Sequence, residues 1–212
     1  MVDNVKLFIG VEGKHDISFL LGISKSLLKS GIDVIDLEKM EQAGEIIFFP
    51  LGGSNLALWT SRLKNLQRPE FHLFDRDTVP PTEPKYKQIA DEINAHENCI
   101  AVICNKNEME NYLHKRAIEQ AYLNIGIEIQ LPNNFAPFDD VPKEIAKIVH
   151  EASGAETQWE DLTDKKKRKK IDRAKSNLNG LAPLYMSNEL LSEIDADGDV
   201  LSWFENMRAL IL

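Results

Sequence analysis

Carboxylates recur in this chain where apolar runs end. Glu12 stands just past Val5-Lys6-Leu7-Phe8-Ile9, within Val11-Glu12-Gly13-Lys14-His15-Asp16. Asp75-Arg76-Asp77 closes Phe71-His72-Leu73-Phe74, and Glu108-Met109-Glu110 follows Ile100-Ala101-Val102-Ile103. Parallel strands place their C-terminal ends on one edge of a sheet, so acids at these positions can meet. Carboxylates brought together repel unless a cation lies among them, and an all-oxygen ligand set suits Mg²⁺ or Mn²⁺. The chemistry expected of this pattern is that of a metal-dependent enzyme acting on phosphates. Two cations ~3.5–4 Å apart would activate water and stabilise the leaving oxygen. Glu12, Asp75 and Asp77 are expected to hold one. Asp16 and Glu110, with Glu108 as second choice, are expected to hold the other.

Taken singly, each cluster has an ordinary explanation. Asp16, one turn beyond Glu12, suits the positive end of a helix. Acidic turns before a pair such as Pro80-Pro81 are common. Asn107 can cap a helix that begins near Glu108. The ordered set of three is what carries information. Two other motifs fail on spacing. Gly10 to Lys14 has two residues between its glycines, not the four of a phosphate-binding loop, and His15 follows the lysine, so no ATP site is legible. Asp195-Ala196-Asp197-Gly198-Asp199 misplaces the glycine of a calcium loop and has Asn206 at its twelfth position, which predicts a turn.

The elements that must position these acids follow from periodicity. Val5–Ile9, Ile46–Phe49, Phe71–Phe74 and Ile100–Ile103 are short apolar runs without alternation, as expected for strands covered on both faces. Between them, helical spacing marks Ile17, Leu20, Leu21, Leu27 and Leu28, then Leu56, Trp59, Leu63 and Leu66, then Tyr86, Ile89, Ala90 and Ile93. Residues 31–44 form a connector with a helical turn or more. The order predicts an α/β fold, a Rossmann-like parallel four-stranded sheet between helices. After residue 113 the pattern becomes helical: Ala117 to Tyr122, Val141 to Val149, the basic run, Leu190 to Ile194, and Val200 to Ile211. Residues 1–112 are read as a catalytic core and 113–212 as a helical extension.

The chain has 212 residues and is 43% hydrophobic, in the range of folded globular proteins. No apolar run approaches the ~20 residues that span a bilayer. The N-terminus lacks the basic start of a signal peptide, and Cys99 and Cys104 read as reduced core thiols, so the expected location is cytoplasmic. Net charge is -9, yet residues 165–175 carry eight basic side chains and one acidic. That segment is +7 and the remainder -16. A basic stripe on an acidic protein can grip a phosphate backbone at one place, or form a solvated helix face.

Glu12, then Asp75 and Asp77, in this order after the first and third strands, resemble the TOPRIM domain of topoisomerases, primases and several nucleases. Val11–Asp16, Asp75–Asp77 and Glu108-Met109-Glu110-Asn111-Tyr112 resemble, in order, three segments of the OLD (overcoming lysogenization defect) nucleases. The resemblance covers residues 5–113 well and the remainder loosely. It implies a two-metal endonuclease using Mg²⁺ or Mn²⁺, acting on DNA ahead of RNA. It also implies an ATPase partner, in cis or on a separate polypeptide, in anti-phage defence; self-assembly is open. A downstream catalytic lysine is implied as well, and Lys175 is the candidate. A topoisomerase would need a nucleophilic tyrosine in a separate domain, and a primase would need a zinc module. Two alternatives remain: an RNA-processing TOPRIM nuclease, and a non-catalytic module that binds nucleic acid or a partner.

Overall fold

The structure, a computed structural model, describes residues 4–52 and 66–212. The expected helix at Leu56, Trp59 and Leu63 lies outside the described residues. Four strands, β1 (Leu7–Val11), β2 (Ile46–Pro50), β3 (Glu70–Phe74) and β4 (Cys99–Ile103), form one parallel sheet in the order β2-β1-β3-β4. The first strand starts two residues later than the apolar run suggests. Val5 is buried ahead of it, and pairing with β2 carries it on to Val11.

Side chains alternate between two packed faces, which explains why the strand sequences do not alternate in polarity. Leu7, Ile9, Val11, Phe71 and Leu73 enter one large hydrophobic cluster. It also holds Phe19, Leu20, Ile23 and Leu27 of α1 (Lys14–Lys29) and Trp203, Phe204 and Met207 of a C-terminal helix. On the other face Phe74 and Ala101 pack with Tyr86, Ala90 and Ile93, where α3 (Lys87–Asn94) lies. His72 also points to this second face. It sits against Gly10, where a Cβ would stand 2.4 Å from its Nδ1, and it bonds buried Glu70 at 2.9 Å. The connector holds α2 (Leu37–Gln42), capped by Asp36.

Beyond the sheet come α4 (Lys115–Asn124), α5 (Val141–Ala152), α6 (Asp164–Leu181), α7 (Asn188–Ile194) and α8 (Asp199–Ile211). Each coincides with a segment of helical spacing in the sequence or with the basic run. The basic run is the N-terminal half of α6. Low apolar content left its length illegible, and burial of Ala174 and Leu178 ties it to the core. The Asp195–Asp199 segment is a turn, as its spacing suggests. Asp195 accepts from the N–H groups of Asp199 (3.1 Å) and Val200 (2.9 Å), satisfying the start of α8. No helix among the described residues is long and apolar enough to cross a membrane.

Candidate functional site

The parallel register brings the ends of β1, β3 and β4 to one edge, and the acids sit there. Glu12 follows β1 directly. Its Oε1 accepts from the Asp75 N–H at 3.0 Å and its Oε2 from the Tyr86 hydroxyl at 3.0 Å. The backbone behind it has no slack: a side chain at Gly52 would place Cβ 2.2 Å from the Glu12 carbonyl oxygen. One turn into α1, Asp16 folds back to accept from the Gly13 N–H at 2.8 Å. It is buried, as expected of a residue facing the edge and not of a solvated helix start.

Asp75 follows β3, is buried, and accepts from the Met109 N–H at 3.1 Å. That bond ties the β3 end to the loop after β4. In this loop Glu110 is 1% exposed and Glu108 half-buried. The two residues after them explain the rest of the motif. Asn111 accepts from the Glu108 N–H at 3.1 Å and donates to the carbonyls of Ala136 (2.9 Å) and Asp139 (3.0 Å). The Tyr112 hydroxyl donates to Asp199 and accepts from the Lys106 N–H at 3.2 Å. Asp199 also takes the Asn105 N–H at 3.0 Å. The loop is thus clamped to the start of α8, and its glutamates face inward.

Lys175 of α6 reaches into this group. Its Nζ lies 3.0 Å from Glu108 Oε2 and 3.4 Å from Glu110 Oε1. One turn later Asn179 donates to Glu110 and, at 3.0 Å, to the Lys175 carbonyl. Neither Asn179 nor Tyr86 is among the site residues the sequence pattern points to. An asparagine four residues after a candidate lysine was the available signal for the first. Tyr86 carried none, because it sits in a loop that meets Glu12 only in three dimensions.

Burial and neighbouring charges shift several of these acids. Burial raises Asp75 well above the usual carboxylate range, with Glu110, Asp16 and Glu12 adding to the rise and Lys175 opposing it. Burial lifts Asp16 to about 6, with Glu110 and Glu12 pushing the same way. Burial and then the Glu110 charge lift Glu108 to about 8, against Lys175. Glu12 is raised by burial and by Asp77. Lys175 is held charged: Glu110, Glu108 and Asp75 together outweigh its own burial. His15 is lowered by burial and by Lys14 and Lys175, so it is neutral at pH 7.

Asp77 departs from the sequence expectation. It stands at φ 56°, a left-handed conformation that aspartate tolerates, and pairs with Lys85 at the rim. Glu12 feels its charge, but Asp77 does not join Asp75, Asp16 and Glu110 inside. Among the described residues, no three His, Cys, Asp or Glu side chains stand together at metal-ligating geometry. Protein donors hold the carboxylates apart: Tyr86 on Glu12, Gly13 on Asp16, Met109 on Asp75, Lys175 on Glu108 and Glu110. The donor set itself suits a hard cation. It is all oxygen, acidic beyond what Lys175 neutralises, and pushed toward protonation by burial.

A four-stranded parallel sheet between helices, with acids from three strand ends on one edge, defines a Rossmann-type α/β protein consistent with a TOPRIM-like core. Among solved structures the chain is similar to the C-terminal region of the Burkholderia pseudomallei OLD protein. The TM-score is 0.51 and the identity 14%, over 98% of this chain and 99% of that one. At this identity the likeness is one of fold. No protein-family model and no curated protein matches the chain.

Proposed function

We propose that this chain is a divalent-cation-dependent nuclease of the OLD-type TOPRIM class. DNA ranks ahead of RNA as substrate, and an ATPase in cis or in trans is the proposed partner, in anti-phage defence. One observation carries the reading. Glu12, Asp16, Asp75 and Glu110 are gathered on one sheet edge and several are raised by burial and mutual repulsion, an arrangement that costs stability unless a cation offsets it. Glu12 and Asp75 would hold Mg²⁺ or Mn²⁺, with Asp16, Glu110 and Glu108 completing the set and Asp77 joining from the rim. The cation would polarise a phosphoryl oxygen and lower the pKa of the attacking water.

The chain's own residues supply the rest. Tyr86 and the Asp75 N–H fix both oxygens of Glu12, so its orientation is set before substrate arrives. Lys175 is positioned to exchange Glu108 for phosphate and to neutralise charge there. Arg168 lies seven residues before Lys175 on α6, on the same helical stripe, and can guide the phosphate backbone toward the edge.

A second reading rests on a specific observation and accounts better for the geometry as it stands. No ligating triad is assembled among the described residues, and the Lys175 ammonium already occupies the position between Glu108 and Glu110. A non-catalytic TOPRIM-like module that binds nucleic acid or a partner would look like this. So would an RNA-processing nuclease whose site assembles on its substrate.

The three are separated by assaying supercoiled DNA and a structured RNA with Mg²⁺ or Mn²⁺. Cleavage that stops with chelator and with Asp75→Ala supports a nuclease, of the OLD type if DNA is cut and of the RNA-processing type if only RNA is cut. Binding of either nucleic acid without cleavage, unchanged by Asp75→Ala, supports the module.

A further inference from the structure

Helix α6 presents two basic faces, and one of them has no part in the acidic edge. Lys175, Asn179 and Arg168 lie along one stripe at 3.6 residues per turn. Lys169, Lys170, Arg173 and Asn177 lie on the opposite side. There they line a cavity of about 370 Å³ enclosed by α4, α5 and α6. Its floor is apolar, formed by Ile127, Ala146, Val149 and Ala174. The Tyr122 side chain, 1% exposed, also lines it. Burial pushes this phenol up to about 12, while Asn177 and Arg173 pull it down. Asn177, on the rim, stands within hydrogen-bonding reach of the Tyr122 hydroxyl.

The volume lies at the small end of the ligand-pocket range, ~300–1,000 Å³. Three cations on one rim exceed what a single carboxylate needs and match a dianionic phosphate, for which the arginine fork is suited. We propose that this cavity binds an organic phosphomonoester, its apolar body on the Ile127–Val149 floor and its phosphate on Lys169, Lys170 and Arg173. Asn177 would bond a polar atom of the body. Two sources share this chemistry, a nucleoside monophosphate and a single-chain lipid phosphate. Because Arg173 and Lys175 are two residues apart on one helix, occupancy would bear on the helix that carries Lys175. The proposal stands independently of any cleavage chemistry at the acidic edge.

Calorimetric titration of the full chain with AMP, UMP, decyl phosphate and inorganic phosphate tests it. Binding of AMP or UMP, but not decyl phosphate, supports the nucleotide source; the converse supports the lipid source. In either case Arg173→Gln and Lys170→Gln should weaken binding tenfold or more. Lys29→Gln with Lys39→Gln, exposed on α1 and α2, removes positive charge elsewhere and should leave binding unchanged. Thermal shifts by the same compounds should follow the same order, with circular dichroism confirming that each variant folds. Four outcomes overturn the proposal: no binding of any organic phosphate, equal affinity for inorganic phosphate, no loss in Arg173→Gln, or an equal loss in the Lys29/Lys39 control.

Discussion

The Lys175 ammonium donates a 3.0 Å hydrogen bond to Glu108, a residue 67 positions away in sequence. The bond joins the helical half of the chain to the sheet edge. It also supplies a positive charge where buried acids would otherwise face one another. Lys175→Met should therefore leave Glu108 and Glu110 uncompensated and destabilise the protein by about 2 kcal/mol. That is less than the ~3–5 kcal/mol of a fully buried pair, because the lysine is partly exposed. Urea denaturation checks the loss. Millimolar Mn²⁺ should restore more stability to this variant than to the parent, since a cation can occupy the vacated position.

The raised carboxylates give a pH dependence with a definite sign. Asp16 sits at about 6 against an ordinary 3.8, and Glu108 at about 8 against 4.5. Between each pair of values the folded chain keeps a proton that the unfolded chain has lost, so stability falls as pH rises through that window. The contribution is fully present below about pH 4 and lost by about pH 8. Without divalent cation, melting temperature should decline more steeply from pH 5 to pH 8 in the parent than in Glu108→Gln. Added Mg²⁺ should raise it more at pH 8 than at pH 5.

Tyr86 should be a positioning residue. Tyr86→Phe removes one hydrogen bond to Glu12, at a stability cost of about 1 kcal/mol, and keeps the ring against Phe74. Cation affinity should drop roughly tenfold, the usual scale for losing a group that orients a ligand. Equal affinity in the parent and Tyr86→Phe would mean that Glu12 holds no cation.

The basic run makes a separable contribution. Converting Lys165, Lys166, Lys167, Arg168, Lys169 and Lys170 to Ser should weaken nucleic-acid binding across sequences and leave cation binding intact. The salt slope of binding should fall by roughly one unit for every phosphate that the variant no longer neutralises. Lys175→Ala should instead reduce cleavage more than binding. Unchanged affinity and slope in the six-residue variant would make the run a solvated face.

Most of the sheet was legible because it depends on local patterns: apolar runs of strand length, helical spacing between them, and an order that admits few topologies. The acidic edge was legible for the same reason, since strand order places Glu12, Asp75 and Glu110 together once the sheet is parallel. Individual geometry was not legible. Nothing in Asp75-Arg76-Asp77 says that its first aspartate turns inward to Met109 while its second turns out to Lys85. Tyr86, Asn179 and the Tyr112–Asp199 clamp depend on distant segments meeting in space, which spacing cannot reveal. The run of lysines concealed that α6 has two faces, because a charge total carries no information about helical angle.

Calorimetric titration of the full chain with Mn²⁺ tests the central claim most directly, because it asks about the acidic edge without requiring a substrate or a partner. The parent should bind the cation. Both Glu12→Ala and Asp75→Ala should weaken binding by roughly 100-fold or more, and Asp77→Ala should weaken it less, in keeping with its pairing to Lys85. No binding by the parent, or binding indifferent to Glu12 and Asp75, would contradict a cation site at the sheet edge.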